Sequence, residues 1–173
     1  MSTDGILLAI QALKNGDLSA FETLYEQTKR MVFFAARAVL KDPSRSEDVM
    51  QDAYLRFLDA IDRIQIDRGA ISFLITTARN LALNVLEKEG RTIQLDEAFH
   101  RAEEERKPLL GEKLFERMKN LLDDQEYEIV ILHAVDELKH REIAEMTGLP
   151  LGTVTWKYQR AIEKLKAGLE DYR

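Results

Sequence analysis

Between Arg141 and Lys166 one long stretch of helical patterning is broken at a single point, and that break decides how the stretch can fold. Arg141 to Thr147 form a short amphipathic run with Ile143 and Ala144 inward and Met146 close by. Gly148 supplies the left-handed stop that a helix end favours, and Leu149-Pro150 turn the chain. A second run, Leu151 to Lys166, repeats Val154, Tyr158, Ala161, Ile162 and Leu165 at helical spacing. Thr153, Thr155, Trp156, Lys157 and Arg160 are left facing outward near its start, the place where a helix-turn-helix reaches base edges in the major groove. Many helix pairs with this spacing never touch DNA, so charge is the second observation. Residues 139–166 hold six Lys or Arg against three Glu, in a chain of formal net charge -6. A basic segment on an acidic chain fits phosphate binding.

The rest of the composition narrows the classes. At 173 residues the chain holds one domain or two small ones. It has no cysteine, which removes disulfides, Cys-ligated zinc and thiol catalysis. His100, His133 and His140 are scattered without a metal-ligand spacing, and no cofactor is expected. The start, MSTDGILLAIQALKNGD, is interrupted by Asp4, Gln11, Lys14 and Asp17 and reads as neither a signal nor a membrane span. A cytoplasmic chain without membrane insertion is expected. Its acidic balance argues against wrapping DNA widely and leaves room for a large protein partner.

Helix punctuation recurs along the chain. Ser19 with Glu22 is a candidate capping box for a helix to about Lys41, ended by Asp42-Pro43. Ser44 with Glu47 is a second, opening a helix to about Ile64 with Val49, Met50, Ala53, Tyr54, Phe57, Leu58 and Ile61 on one side. Asp67-Arg68-Gly69 is a turn, and a third helix runs from about Ala70 to Lys88, closed by Glu89-Gly90. Periodicity fades from Arg91 to Glu112, where Glu103-Glu104-Glu105 read as a solvated charge run. Patterning resumes near Lys113, and Asp123 with Glu126 starts a helix to about Val135. No alternating strand pattern competes. The expected fold is all-α: two small helical domains joined by a linker, the C-terminal one a helix-turn-helix. The expected boundaries are 1–90, an acidic linker 91–112, and 113–173.

The order of these segments resembles the extracytoplasmic-function sigma factors, two-domain initiation subunits of bacterial RNA polymerase. Four stretches carry the resemblance: LKNGDLSAFETLYEQTKRMVFFAARAVLKDP, SRSEDVMQDAYLRFLDAIDRI, FLITTARNLALNVLEKEGR and LKHREIAEMTGLPLGTVTWKYQRAIEKLK. In the second, Glu47, Asp48, Gln51, Asp52 and Leu55 can share one helical flank, an acidic and amide strip that suits a basic partner. The resemblance makes that partner the clamp coiled coil of core RNA polymerase. In the third, Phe73, Arg79, Asn80 and Asn84 could stack on, pocket and neutralise an opened strand, which the resemblance makes the minus-ten promoter DNA. It also implies that Arg141, Thr153, Thr155, Trp156, Lys157 and Arg160 read the minus-thirty-five element. By family analogy an anti-sigma factor is an inhibitory partner, and the acidic linker threads a basic polymerase channel. No enzyme activity is implied.

This chain departs from the family pattern in three places. Phe73 stands where Trp is usual, after a loop, Arg68 to Ser72, that looks one residue short. Leu86-Glu87-Lys88-Glu89-Gly90-Arg91 replaces a common run of arginines, which weakens non-specific phosphate attraction. Lys139 stands at a position usually held by a small capping residue, and Thr155 and Trp156 occupy positions where a basic and a small residue are common. Two other classes fit parts of the pattern: a free-standing helix-turn-helix regulator, and a sigma-like protein that binds polymerase without initiating.

Overall fold

The structure, a computed structural model, describes residues 3–93, 110–134 and 137–168. Among the described residues every regular element is helical, with eight α-helices and one short 3-10 helix. The chain divides into two compact units, Met1–Asn84 and Val85–Arg173.

The first unit begins with α1, Thr3–Lys14, which the sequence reading left unassigned. Its buried residues Ile6, Ala9, Ile10 and Leu13 lie at the helical intervals that could have revealed it. In α2, Ala20–Leu40, the inward residues are Leu24, Thr28, Val32, Ala35, Ala36 and Leu40. In α3, Pro43–Ala60, they are Val49, Met50, Ala53, Tyr54 and Phe57. A 3-10 turn, Ile61–Arg63, leads to α4, Arg68–Ile93, where Leu74, Ile75, Ala78 and Ala82 are buried. Residues Gly69–Gly90 are apolar and long enough to cross a bilayer by composition alone. Leu74, Ile75 and Leu81 turn into the core of the unit, while Phe73, Leu83 and Leu86 are exposed.

Two expected capping boxes are replaced by stronger neighbours. Ser19 has helical dihedrals and caps nothing; its N–H and hydroxyl both donate to Asp17 Oδ1, at 3.1 and 2.6 Å. At α3 the cap is Asp42, whose Oδ1 accepts the Arg45 N–H at 2.9 Å. Pro43 then takes the first helical position, where its missing N–H costs nothing, so the helix begins ahead of Ser44. In both cases an ionised acceptor two residues earlier outcompetes a serine hydroxyl. The end of α4 also moves. It runs through Glu89-Gly90 to Ile93, since an interior glycine costs about 1 kcal/mol relative to alanine, and a 26-residue helix absorbs that. Residues 94–109 of the expected linker, with His100 and Glu103-Glu104-Glu105, lie outside the described residues, as does Val135.

The second unit contains α5 (Leu110–Leu121), α6 (Asp124–Ala134), α7 (His140–Thr147) and α8 (Leu151–Gly168). Ile129, Ile131, Leu132, Ile143, Val154 and Ala161 form its centre. The capping box read at Asp123 and Glu126 is present in full: Asp123 Oδ1 accepts the Glu126 N–H at 2.8 Å, and Glu126 Oε2 accepts the Asp123 N–H at 3.0 Å. Gly148 adopts the left-handed conformation, φ 72°, and its N–H donates to Ala144 O at 2.9 Å. Lys139 has no side-chain acceptor to offer α7, so Glu142 supplies the bond from the other side, taking the Lys139 N–H at 2.7 Å. At the far end of α8, Arg117 Nε donates to Gly168 O at 3.0 Å, and a Cβ on Gly168 would lie 2.6 Å from Leu121 Cδ1.

One buried polar pair joins α2 to α3. Thr28 Oγ1 donates to Leu24 O at 2.7 Å and accepts from the Tyr54 hydroxyl, also at 2.7 Å. Burial pushes the Tyr54 phenol well above its ordinary range. Thr28→Val strands the buried Tyr54 hydroxyl and is expected to cost about 1–3 kcal/mol; Tyr54→Phe leaves Thr28 one partner and costs about 0.5–1.5 kcal/mol. Urea unfolding of the two variants checks this order, and a larger loss in Tyr54→Phe contradicts it.

Candidate nucleic-acid and partner interfaces

Three surfaces carry the residues singled out from sequence. On α3 the core takes Val49, Ala53 and Phe57, so Glu47, Asp48, Gln51, Asp52 and Leu55 are all exposed. Asp48, Gln51, Asp52 and Leu55 fall at intervals of three and four, one stripe of a helix. Leu55 is 62% exposed, a large apolar side chain set among carboxylates. Asp59, which the sequence reading passed over, continues the stripe by one turn and is exposed too.

The second surface starts where the 3-10 turn meets α4. A groove of about 580 Å³ lies there, lined by Arg63, Ile64, Gln65, Asp67, Gly69 and Phe73 among others. Two contacts hold its wall. Lys14 Nζ, from α1, donates to Ile64 O at 2.8 Å, and Asp67 Oδ1 accepts the Gly69 N–H at 2.7 Å. A Cβ at Gly69 would stand 2.8 Å from that oxygen, so a larger residue there would push the Asp67 carboxylate aside. Phe73 is 43% exposed at the groove, with its ring 6.3 Å from the Phe57 ring. Asn80 and Asn84 are exposed, and at about 100° per residue they share a line with Phe73. Arg79 is half-buried and falls about 100° off that line, so the four residues do not form one strip.

The third surface is the helix-turn-helix. Arg141, Trp156 and Arg160 are exposed, and Thr153 is half-buried. Two expected outward residues turn inward. Lys157 is only 15% exposed and pairs with Asp123 Oδ2 at 3.2 Å, drawn back by the acid that caps α6. Burial alone would raise the Asp123 carboxyl, but the Glu126 N–H and Lys157 together hold it below its usual range. Thr155 is half-buried, its hydroxyl 3.2 Å from His140 Nδ1. Trp156 is 53% exposed, and the Arg160 guanidinium lies over its ring, 5.2 Å from the centroid. Such a contact contributes about 0.5–1 kcal/mol at an exposed site. Arg160 Nε is also 3.4 Å from Glu126 Oε1, while Glu126 Oε2 pairs with Lys164 Nζ at 2.5 Å. Glu126 is fully buried, and its charge is tolerable only because cations from α8 reach it.

The sequence reading also missed a ring cluster. His133, His140 and Tyr158 pack mutually, with centroids 4.7–4.9 Å apart, although the histidines looked unrelated along the chain. His133 Nδ1 donates to Leu138 O at 2.8 Å. Desolvation first, and the neighbouring His133 second, lower the His140 pKa below its ordinary 6.5. The folded unit thus prefers neutral His140. The contribution is complete above about pH 6.5 and is lost as pH falls from there through the lowered folded value. Melting of the full chain is expected to show falling stability from about pH 7.5 to about pH 5.5, with a smaller fall in His140→Phe. An identical pH dependence in that variant contradicts the assignment.

Known proteins resemble the chain across both units. A family model described as Sigma-70 region 2 matches residues 24–92, and one described as Sigma-70, region 4 matches residues 112–165. The ECF RNA polymerase sigma factor SigW of Bacillus subtilis (strain 168) is 25% identical over 183 residues, with 94% of this chain and 95% of that protein covered. The ECF RNA polymerase sigma factor SigC of Mycobacterium tuberculosis (strain CDC 1551 / Oshkosh) is 27% identical over 169 residues, covering 94% and 90%. Among solved structures, the sigma factor RpoE in complex with the anti-sigma factor NepR from Bartonella quintana has a TM-score of 0.72 at 20% identity, covering 90% of this chain and 100% of that one. CnrH in complex with the cytosolic domain of CnrY has a TM-score of 0.70 at 22% identity, covering 96% and 98%. At those identities the structural likeness establishes a shared fold.

Proposed function

The chain belongs to the extracytoplasmic-function sigma factors, which bind core RNA polymerase and direct it to promoters, and from that premise we propose how its surfaces divide the work. The residues up to about 90 bind core polymerase and engage the minus-ten region, 91–112 connect, and 113–173 engage the minus-thirty-five element. The observation that supports this most is the acidic stripe of α3, where exposed Leu55 stands among Asp48, Gln51 and Asp52. Apolar surface ringed by like charge suits a basic partner with its own apolar anchor. The clamp coiled coil of polymerase is that partner in this reading.

The groove beside Phe73 suits an unstacked base. It offers one aromatic face, the polar groups of Gln65 and Asp67, and the cation Arg63 at its rim. We assign it as the minus-ten base pocket, with Asn80 and Asn84 along the path of the opened strand. Arg141, Thr153, Trp156 and Arg160 contact the minus-thirty-five duplex; Thr155 acts through its bond to His140, and Lys157 through Asp123. The factor works in the cytoplasm without catalysis of its own. Because RpoE of Bartonella quintana, which shares this fold, is bound to the anti-sigma factor NepR, an anti-sigma factor is proposed to hold this chain inactive.

Two measurements test this division. Leu55→Glu and Asp52→Lys are expected to weaken capture of core polymerase by about tenfold or more, as loss of a central anchor does. Leu8→Glu, which alters a residue 70% exposed on α1, is the control and leaves capture unchanged. Equal capture by all three variants excludes the α3 stripe. Phe73→Ala is expected to lower open-complex formation on duplex promoter by about five- to a hundredfold, since stacking contributes about 1–3 kcal/mol per base. On a template already opened at the minus-ten region the deficit shrinks; an undiminished deficit there argues against a melting role.

A further inference from the structure

Arg160 is held from two directions at once. The guanidinium lies over the Trp156 ring, one turn earlier on α8, 5.2 Å from its centroid, and the buried Glu126 Oε1 on α6 stands 3.4 Å from its Nε. The ring and the carboxylate attract the guanidinium from two sides, and together they narrow the orientations it samples. What remains free is the fork of two terminal nitrogens. That fork is the part of arginine that meets O6 and N7 of guanine side by side in a major groove.

The neighbouring cations are held differently. Lys157 is drawn onto Asp123 and largely covered, and Lys164 closes on Glu126 Oε2. Arg160 is the most exposed of the three, at 48%. Its partner atom, Glu126 Oε1, is buried and accepts no hydrogen bond among the described residues, and Arg160 Nε, 3.4 Å away, meets it as an ion pair. Attraction to phosphate needs no such orientation, because a mobile cation serves as well. Restricting the guanidinium from two sides matters for reading a base.

We propose that Glu126 and Trp156 are positioning residues for promoter recognition, which together hold Arg160 as the reader of one guanine in the minus-thirty-five element. The proposal rests on the reading of α8 as the minus-thirty-five helix. Neither residue needs to touch DNA for the effect, although Trp156 is exposed beside the groove-facing fork.

The test uses holoenzyme reconstituted from the full chain and core polymerase, transcribing promoters randomised across the minus-thirty-five element. If wild-type holoenzyme yields no promoter-dependent transcript, the sigma-factor assignment fails, and this inference falls with it. Where wild type selects a guanine, Arg160→Ala is expected to reduce that preference about five- to a hundredfold at one position only. Glu126→Gln and Trp156→Ala reduce the same preference by a part of that, Trp156→Phe keeps most of it, and neither Glu126→Gln nor Trp156→Ala adds to the loss in an Arg160→Ala background. The salt dependence of promoter binding by the Glu126→Gln holoenzyme matches wild type, because no phosphate contact is lost. The idea is overturned if Arg160→Ala weakens all sequences alike with a salt slope shallower by about one, the signature of a phosphate contact. It is equally overturned if Glu126→Gln and Trp156→Ala lower that guanine preference as much without Arg160 as with it. Trp156 is exposed, so its variants decide the matter even if Glu126→Gln does not fold.

Discussion

A helix in a four-helix unit has one flank to give to the core, and whatever it offers a partner must come from the remainder. Both units of this chain are built within that constraint. On α3 the core takes Val49, Ala53 and Phe57, which leaves the opposite stripe free for Asp48, Gln51, Asp52 and Leu55. On α8 it takes Val154 and Ala161, and Trp156 and Arg160 stand away from them. The same residues that fold each helix therefore set the angle at which its functional flank is presented. A core substitution that turns α8 by a few degrees would move Trp156 and Arg160 without touching either.

Charge adds a second level of organisation. The chain is acidic overall, and its acids are used in two distinct ways. Those on α3 stay in solvent as an outward strip. Asp123 and Glu126 instead close a capping box and then collect Lys157, Arg160 and Lys164 from α8. The basic character of the C-terminal segment is thereby partly consumed inside the domain. A net count of six cations against three glutamates overstates what residues 139–166 can offer to phosphate.

Local rules made much of this architecture legible from sequence, and non-local competition explains what was hidden. Gly148 could be read because only its own backbone geometry mattered. The Asp123–Glu126 box could be read because no stronger acceptor stands nearby. Ser19 and Ser44 misled because Asp17 and Asp42, two residues earlier, take the role. Lys157 was placed outward by helical spacing, yet a carboxylate 34 positions away draws it in. The meeting of His133, His140 and Tyr158 joins three helices and has no signature along the chain. On α3, burial of one flank and exposure of the other follow from periodicity alone, and all five residues singled out there lie in the open.

The glycine at the far end of α8 gives this helix a mechanical character. At about 1.5 Å per residue, its 18 residues make a rod of about 27 Å. One tip is seated where Gly168 meets Leu121 and Arg117; the other carries Trp156 within its first two turns. The seat is tight enough that a single added methyl group would press on Leu121. A lever clamped at its tail can be re-aimed from the tail. In the proposed reading of α8, promoter preference can drift through changes at the α5–α8 seat while the side chains at its other tip stay the same.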